Sequence, residues 1–375
     1  MTSEVGVNLL WLVPGEVGGS EQSTLATLRA LRDLDPPDLR LRLFVLEAFA
    51  AAHPDVAAAF PTESIPLSGR SRLARIVGEA TWLASRTRSV DLVHHAGGTA
   101  PPRRGVPYVL TVHDLQPLDR GETHGAAKRA YLRLRVPRSV RGARAVAVPS
   151  EFVRRDVIAR TGAEPDRVVT IPHGVAPPGP DATPEPELRA RHHLEGPLVL
   201  YPAITYPHKN HATLVEAFAT VHRRHPEATL VLPGGAGSCE AAVTEQVRRL
   251  GLGAAVRRLG RIAQADLDGL LAAATVVAVP SRYEGFGLPA AEAMAAGVPV
   301  VASDTTSLPE VVGDAGCLVA ADDPVAWAEA LSGLLADAGR RADLAARGQA
   351  RAARFTWADN ASAFAGLYRR ALSGA

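Results

Sequence analysis

Short apolar runs alternate with helix-period stretches along the whole chain. VGVNLLWLV (5–13), LRLFVL (41–46), DLVHH (91–95), PYVLTV (107–112), RAVAV (144–148) and RVVTI (167–171) predict strands in the first half. LVLYPA (198–203), TLVLP (229–233), AVRRL (255–259), TVVAVP (275–280) and VPVVAS (298–303) predict them in the second. Most of these runs are continuously apolar, which fits strands buried on both faces of a parallel sheet. Helical patterns lie between them, near 20–32, 71–87, 125–135 and 151–160, then 210–224, 238–250, 264–273, 289–296, 324–337 and 340–353. Strand–helix alternation of this kind produces right-handed parallel crossovers. The expected fold class is therefore α/β, with two doubly wound domains facing across a cleft.

The alternation breaks once, at GVAPPGPDATPEPELRARHHLEGP (174–197), where prolines cluster as in a linker. A chain of 375 residues also exceeds one ordinary core. The division expected is 1–175, a linker over 176–197, and 198–355. In such sheets ligands bind beyond the carboxyl ends of the strands, so the cleft between two domains is the expected site.

Composition narrows the class. The 47% apolar content and mean hydropathy of +0.03 describe a globular protein. No run approaches the roughly 18 apolar residues of a membrane span. The first residues lack a basic segment and carry Glu4, so they read as a first buried strand and not as a signal peptide. Cys239 and Cys317 have neither disulfide-framework nor metal-ligand spacing. A cytoplasmic location is expected. The net charge of +2 is uneven: residues 1–173 hold 23 Lys+Arg against 18 Asp+Glu, and 174–375 hold 18 against 21. The basic excess concentrates in 126–144, with seven cations and no acid. That segment reads either as a solvated helix face or as a surface for anionic lipid or a phosphate-bearing acceptor, at the inner face of a membrane. Nucleic acid is not expected, because aromatic residues are 5% of the chain and do not interleave with the basic run.

Candidate chemistry concentrates in PSRYEGFGLPAAEAMAAGVPVVAS (280–303). A predicted strand ends at Pro280, a loop with Gly285 and Gly287 follows, and a helix opens near Pro289. Glycines admit close approach of backbone to ligand, and a helix start offers free N–H groups and a positive dipole end. Glu284 and Glu292 flank this anion site. Carboxylates suit hydroxyls and not phosphate, so a diphosphate between polyols, a nucleotide sugar, satisfies both features. The chain has two lysines, Lys128 and Lys209, and Lys209 stands in ITYPHKNHAT (204–213) between a strand run and a helix run.

Glu284 to Glu292 matches the E-x7-E motif of the retaining glycosyltransferases of family 4, which have the GT-B fold, and the whole segment 280–303 is similar to that family's pattern. VPGEVGGSE (13–21), VHDLQPL (112–118), VAVPSEF (146–152), IPHGV (171–175) and FTWADNASAFAGLYRR (355–370) resemble further family segments in order. The resemblance implies two Rossmann-like domains. Residues 1–175 are the acceptor side, joined by 356–375 as a helix that crosses back, and 198–355 bind the nucleotide sugar. It implies Glu284 as the contact to the transferred sugar and Glu292 as the contact to the ribose hydroxyls. Backbone amides around Gly285, Phe286, Gly287 and Leu288 would hold sugar hydroxyls and diphosphate. Lys209 matches the basic residue on the diphosphate, and His113 the histidine facing the anomeric carbon. Gly18, Gly19 and Ser20 match the glycine-rich loop near diphosphate and acceptor. Retention implies a front-face route in which the leaving diphosphate helps take the acceptor proton.

The chain departs from the family where many members carry Gly-Arg before the lysine; here Pro202-Ala203 stand there. His208 or Arg282 is expected to supply the second cation. Asp114 orients His113 or meets the acceptor. His94 and His95 line the acceptor side or pack structurally, and Ser20 with Glu21 forms the N-cap and first turn of helix 20–32. GGAGS (234–238) reads as a tight turn, because the third glycine of a dinucleotide motif is replaced by Glu240. No acidic pair suggests a bound metal, and no cofactor is expected beyond the donor substrate, a GDP-, UDP- or dTDP-linked sugar. The expected reaction is hexose transfer to a hydroxyl acceptor, with a lean toward mannose-using branches. The alternatives are a nucleotide-sugar 2-epimerase of the same fold and a non-catalytic nucleotide-sugar-binding subunit.

Overall fold

The structure is a computed structural model describing residues 2–102, 105–119 and 126–374, without the side chains of residues 117, 119 and 126–128. Lys128 of the basic run therefore lies outside the described side chains. The chain divides into unit 1, Met1–Gly174 with Thr356–Ala375, and unit 2, Val175–Phe355.

Unit 1 is built on β1 (Ser3–Asn8), β2 (Leu39–Leu46), β3 (Thr62–Ile65), β4 (Leu92–His95), β5 (Tyr108–Thr111), β6 (Ala145–Val148) and β7 (Val168–Thr170). They form one parallel sheet in the order β3-β2-β1-β4-β5-β6-β7. Unit 2 is built on β8 (Leu198–Leu200), β9 (Thr229–Pro233), β10 (Val256–Gly260), β11 (Val276–Val279), β12 (Val300–Ser303) and β13 (Cys317–Val319), in the order β10-β9-β8-β11-β12-β13. Each sheet grows outward in two directions from a central pair, β1/β4 in one and β8/β11 in the other. At such a switch point the following loops turn to opposite faces and leave a crevice at the carboxyl ends of the strands.

Every strand expected from apolar runs is present. The two that were not expected, β3 and β13, are edge strands. Their sequences TESI and CLV are short and only partly buried, so burial writes no apolar run into them. The run 5–13 ends as a strand at Asn8; Leu9, Leu10 and Leu12 continue as a buried turn, their apolarity set by packing and not by the sheet. Residues 176–197, expected as a linker, belong to unit 2. They carry the helix Glu185–His192, which seats Leu188 in the core, and Thr183 Oγ1 donates to Asp266 at 2.6 Å. Pro supplies the helix start there, so proline clustering marked a cap as well as a turn.

Helix 71–87 is interrupted. It runs as Arg72–Gly78, continues as a π-helical turn Glu79–Leu83, and closes through Ala84–Arg86 and a 3-10 turn at Thr87–Ser89. The helix Trp357–Ser373 packs on the first helix, Gly19–Leu34, within unit 1. Asn360 fixes that packing by accepting from Thr27 at 2.8 Å and donating to the Pro172 carbonyl at 2.7 Å. The core of unit 2 includes the fully buried Trp327, Phe218 and Leu214. Burial of each such side chain stabilises by roughly 1.5–3 kcal/mol.

Candidate active site

In unit 2 the switch point lies between the carboxyl ends of β8 and β11. Past β8 the chain runs through Tyr201 to a single 3-10 turn, Pro207–Lys209, then Asn210 in the left-handed region (φ 56°) and the helix His211–Arg224. Asn210 explains that conformation. Its buried amide donates to the carbonyls of Pro280 (3.1 Å) and Ala321 (2.7 Å), and its Oδ1 accepts from Thr213 (2.8 Å). The turn carrying Lys209 is thereby stapled to the end of β11. The Arg282 amide donates to the His208 carbonyl at 2.8 Å and closes the same junction.

Lys209 and Glu284 meet there. The Lys209 ammonium donates to Glu284 Oε1 at 2.6 Å, with side-chain exposures of 21% and 10%. Ser281 Oγ donates to the same oxygen at 2.6 Å. Tyr201, fully buried, places its hydroxyl 2.9 Å from both Ser281 Oγ and the Lys209 carbonyl. One tyrosine thus touches the backbone of the cation and the hydroxyl that holds the carboxylate. The Glu284 backbone is fixed as well: its amide donates to Thr306 Oγ1 (3.1 Å) and its carbonyl accepts from Ser307 Oγ (2.9 Å). Tyr201, Ser281, Asn210, Thr306 and Ser307 were not singled out in the sequence. Ser281 and Asn210 adjoin the motif residues, whereas Thr306 lies 22 positions beyond Glu284 with no pattern to mark it.

The loop Gly285–Leu288 leads into the helix Leu288–Ala295. Gly287 adopts φ 101°, and a Cβ there would stand 2.6 Å from Leu308 Cδ2, so the position takes glycine on two grounds. The Phe286 side chain is buried edge-on against Phe355 at 5.5 Å. Glu292 stands inside this helix. Burial pushes its carboxyl up to about 7, and the negative charge of Asp268 adds to the rise.

The expected second cations, Arg282 and His208, stand at the same junction with their side chains engaged by protein partners. Arg282 donates to Asp322 at 2.6 Å and to the Pro207 carbonyl at 3.3 Å, and so braces the Lys209 turn. His208 stacks on Tyr206 at 5.9 Å. Arg261, just past β10, was passed over in the sequence; its guanidinium lies 3.1 Å from where a Cβ on Gly235 would stand. The GGAGS turn packs on the β8 loop: a Cβ on Gly234 would meet the Ala203 carbonyl at 2.2 Å, and one on Gly237 the Thr205 carbonyl at 2.5 Å.

The remaining candidates belong to unit 1. His113 follows β5. Its Nε2 donates to the Ala96 carbonyl at 3.1 Å, so Nδ1 keeps the lone pair, and that atom is buried with no partner among the described residues. Burial lowers its pKa to about 4, against the opposing bond to Ala96, so the ring is neutral at pH 7. It packs against Trp11 (5.8 Å) and His173 (6.1 Å). Asp114 accepts from the Gln116 amide at 3.0 Å and shapes the turn into Gln116–Asp119. His94 is structural: its nitrogens lie 2.9 Å from the Tyr368 hydroxyl and 2.7 Å from Thr111 Oγ1. His95 Nδ1 lies 3.0 Å from Asn8 Nδ2.

The glycine-rich loop corrects one expectation. The first helix begins at Gly19 with Gly18 as N-cap (φ 74°), and Ser20 lies inside it without a side-chain capping bond. Glu21 instead fastens the loop before the helix: its carboxylate accepts from the Gly15 amide at 3.0 Å and meets His53 Nε2 at 3.1 Å. Among the described residues no group of three or more His, Cys, Asp or Glu is arranged to hold a metal, and no helix is long and apolar enough to cross a membrane.

Comparison with known proteins follows the two-unit division. Residues 17–177 match the family described as Glycosyltransferase Family 4, and residues 185–351 the family described as Glycosyl transferases group 1. D-inositol 3-phosphate glycosyltransferase of Xylanimonas cellulosilytica is 35% identical over 307 residues, covering 78% of this chain and 70% of that protein. O-antigen chain mannosyltransferase B of Escherichia coli is 33% identical over 274 residues, 71% of each chain. The structure of Anabaena HepE in complex with UDP and glucose superposes with a TM-score of 0.77 at 22% identity, covering 98% of this chain and 99% of that one. That likeness shows the fold, which is GT-B. With relatives above 30% identity spanned over about 70% of their length, this chain belongs to the family 4 and group 1 glycosyltransferases.

Proposed function

We propose that the protein is a retaining, metal-independent hexosyltransferase that moves a sugar from a nucleotide diphosphate to a hydroxyl acceptor, with no cofactor beyond the donor. The observation that carries this reading is the Lys209–Glu284 pair at the β8/β11 switch point. Glycosyl transfer builds negative charge on the leaving diphosphate and positive charge on the sugar. A mobile ammonium beside a carboxylate meets both demands once they part: Lys209 turns to the diphosphate, and Glu284 accepts from hydroxyls of the transferred sugar. In the proposed step the bond from the anomeric carbon to the phosphate oxygen breaks, and a bond to the acceptor oxygen forms on the same face. The acceptor proton passes to the departing diphosphate. Glu292 accepts from ribose hydroxyls, the Gly285–Leu288 amides hold the diphosphate, and His113, with Gly18, Gly19 and Asp114, lines the acceptor side. The relatives named for inositol 3-phosphate and for an O-antigen mannose chain support a sugar or polyol hydroxyl as acceptor and favour a mannose-like branch.

The test is a thermal-shift screen with UDP-, GDP- and dTDP-hexoses. It is followed by assay of nucleoside diphosphate release and of the anomeric configuration of the product. One nucleotide series should raise the melting temperature and yield a retained product. Exchange of the C2 proton without transfer would instead establish epimerisation, and no release at all a binding subunit.

A location at the inner face of a membrane belongs to the same reading. Arg133 and Arg138 are exposed on the helix Ala126–Gly142, together with Leu134 at 53% exposure. The adjoining helix Arg72–Gly78 exposes Leu73 (72%) and Val77 (52%), joined to the first by Arg72 stacked 4.5 Å over Tyr131. Each cation near an anionic surface contributes about 1 kcal/mol. Arg129, Arg133 and Arg138 changed together to Gln should therefore weaken sedimentation with anionic liposomes by about 100-fold. Unchanged sedimentation, or none by the parent chain, sinks the idea.

A further inference from the structure

The hydroxyls behind the Lys209–Glu284 pair share fewer hydrogens than they make contacts. Four oxygens stand in a row: the Lys209 carbonyl, Tyr201 Oη, Ser281 Oγ and Glu284 Oε1. Their successive separations are 2.9, 2.9 and 2.6 Å. Three contacts call for three hydrogens. A carbonyl and a carboxylate bring none, so the row holds the two hydroxyl hydrogens of Tyr201 and Ser281. Both residues are 0% exposed, so bulk water adds no third. Burial, and after it the charge of Glu284, push the Tyr201 pKa well up, so the phenol keeps its hydrogen. One contact in the row is therefore always without a hydrogen.

Two arrangements keep the carboxylate bonded. In the first, Tyr201 donates to the Lys209 carbonyl and Ser281 to Glu284, and the two hydroxyl oxygens face each other with no hydrogen between them. In the second, Tyr201 donates to Ser281 and Ser281 to Glu284, and the Lys209 carbonyl is released. The second is a head-to-tail chain ending on a negative charge, in which each bond strengthens the next. The charge on Glu284 decides between them. While the Lys209 ammonium sits on Oε1 at 2.6 Å, it meets that charge, and the tyrosine hydrogen goes to the carbonyl. Once the ammonium leaves, Ser281 is the one donor left on Oε1 among the described residues. The chain onto an unmet charge is then the stronger use of the same hydrogen.

We propose that Tyr201 is a positioning residue that couples the two halves of the pair: its hydroxyl clamps the Lys209 carbonyl while the site is empty and turns to Ser281 when the ammonium moves to a diphosphate. One rotation thereby frees the backbone of the cation and reinforces the carboxylate. This role deepens the proposed transfer reaction and rests on it for the departure of Lys209.

Urea denaturation of the unliganded chain is the first test. Tyr201→Phe deletes the hydroxyl and keeps the ring, which packs on His211 at 4.9 Å. With Lys209 present, Tyr201→Phe and Glu284→Gln should be additive within about twofold in the unfolding equilibrium constant, because the tyrosine hydrogen is on the carbonyl. In Lys209→Met, which imitates departure of the ammonium, the same two changes should depart from additivity by at least about threefold. Nucleotide binding is the second test and needs no turnover. Calorimetry with UDP, GDP and dTDP should find Tyr201→Phe weaker than the parent by at least about threefold for the diphosphate that binds. In Lys209→Met, adding Tyr201→Phe should change that affinity by less than about twofold. Ser281→Ala should match Tyr201→Phe in the parent, and the two together should lose no more than one alone, because the hydroxyls act in series. Additivity in both backgrounds, equal coupling in both, full nucleotide affinity in Tyr201→Phe, or an equal loss in Lys209→Met would each overturn the role. Binding of none of the three nucleotides by the parent refutes the transferase reading and leaves the urea cycle to decide the switch.

Discussion

The two sheets present the same topological crevice and fill it in opposite ways. At β8/β11 the cation and the carboxylate are paired with each other at 2.6 Å; Tyr201 holds the Lys209 carbonyl, and Thr306 and Ser307 hold the Glu284 backbone. At β1/β4 Arg75 and Arg135 spend terminal nitrogens on backbone carbonyls and keep buried Nε donors that meet no acceptor among the described residues. The first crevice is internally neutral, because its cation and carboxylate cancel. The second sets these two guanidinium groups against one carboxylate, Glu79. A site whose charges cancel in the empty state must exchange partners to work, so its residues are coupled.

Breaking the pair at β8/β11 is the largest test of this contrast. Lys209→Ala should lower kcat by about 100-fold or more, in the range found when a charge-stabilising donor is removed. It also strands Glu284, 8% exposed, beside Ser281. A buried charge left without its partner costs about 3–5 kcal/mol. Lys209→Met combined with Glu284→Gln should regain most of that stability in urea denaturation and none of the turnover. If the single variant keeps kcat within about threefold, or the double variant is no more stable than the single, the coupling does not exist.

The staple beneath the pair comes next. Asn210→Gly keeps the left-handed backbone but leaves the Pro280 and Ala321 carbonyls without their donor, which should cost about 1–3 kcal/mol. Asn210→Ala should cost about 1 kcal/mol more, because alanine resists φ 56°. Turnover should fall in both, since Lys209 is the residue before the staple. Equal stability of the two variants would show that the backbone conformation carries no strain.

The contrast also explains what could be read from the chain. The reacting groups of the β8/β11 crevice are written in two contiguous stretches, 204–213 and 280–303, with Gly287, Asn210 and Ser281 beside them, whereas Tyr201, Thr306 and Ser307 brace them from outside those stretches. The β1/β4 crevice draws Asn8, Trp11, Arg75, Glu79, His95 and Arg135 from four distant segments, and no spacing links them. The interior strand runs were legible because both faces of a parallel strand are buried; of the four edge strands, β7 and β10 still carry recognisable runs, VVT with its flanking Ile171 and VRRL, whereas TESI and CLV of β3 and β13 are too short and too exposed to do so. The cap of the first helix was misplaced for a different reason. Gly18 reaches φ 74° without a side chain, and Glu21 does the fastening from the next turn, so neither follows the Ser-first rule of capping.

The smallest effect separates Glu292 from its neighbours by pH. Its carboxyl, ordinarily near 4.5, is pushed to about 7 by burial and by Asp268. The folded chain therefore holds this proton more tightly than the unfolded chain. That contribution to stability is full below about pH 4.5 and is lost as pH rises to about 7. A donor whose ribose hydroxyls bond to Glu292 favours the ionised form, so binding must expel the proton within this same window. Between pH 6 and 6.5, calorimetry in two buffers of different ionisation enthalpy should register release of a large fraction of one proton as the nucleotide sugar binds. Its two phosphates are both esterified and do not titrate there, so the signal is the protein's own. Affinity should rise with pH and level off above 7. Glu292→Gln should bind without proton release and with flat affinity across the range. Equal proton counts in the parent and Glu292→Gln would move the ribose contact to another residue and leave Glu292 as a partly buried acid of the helix alone.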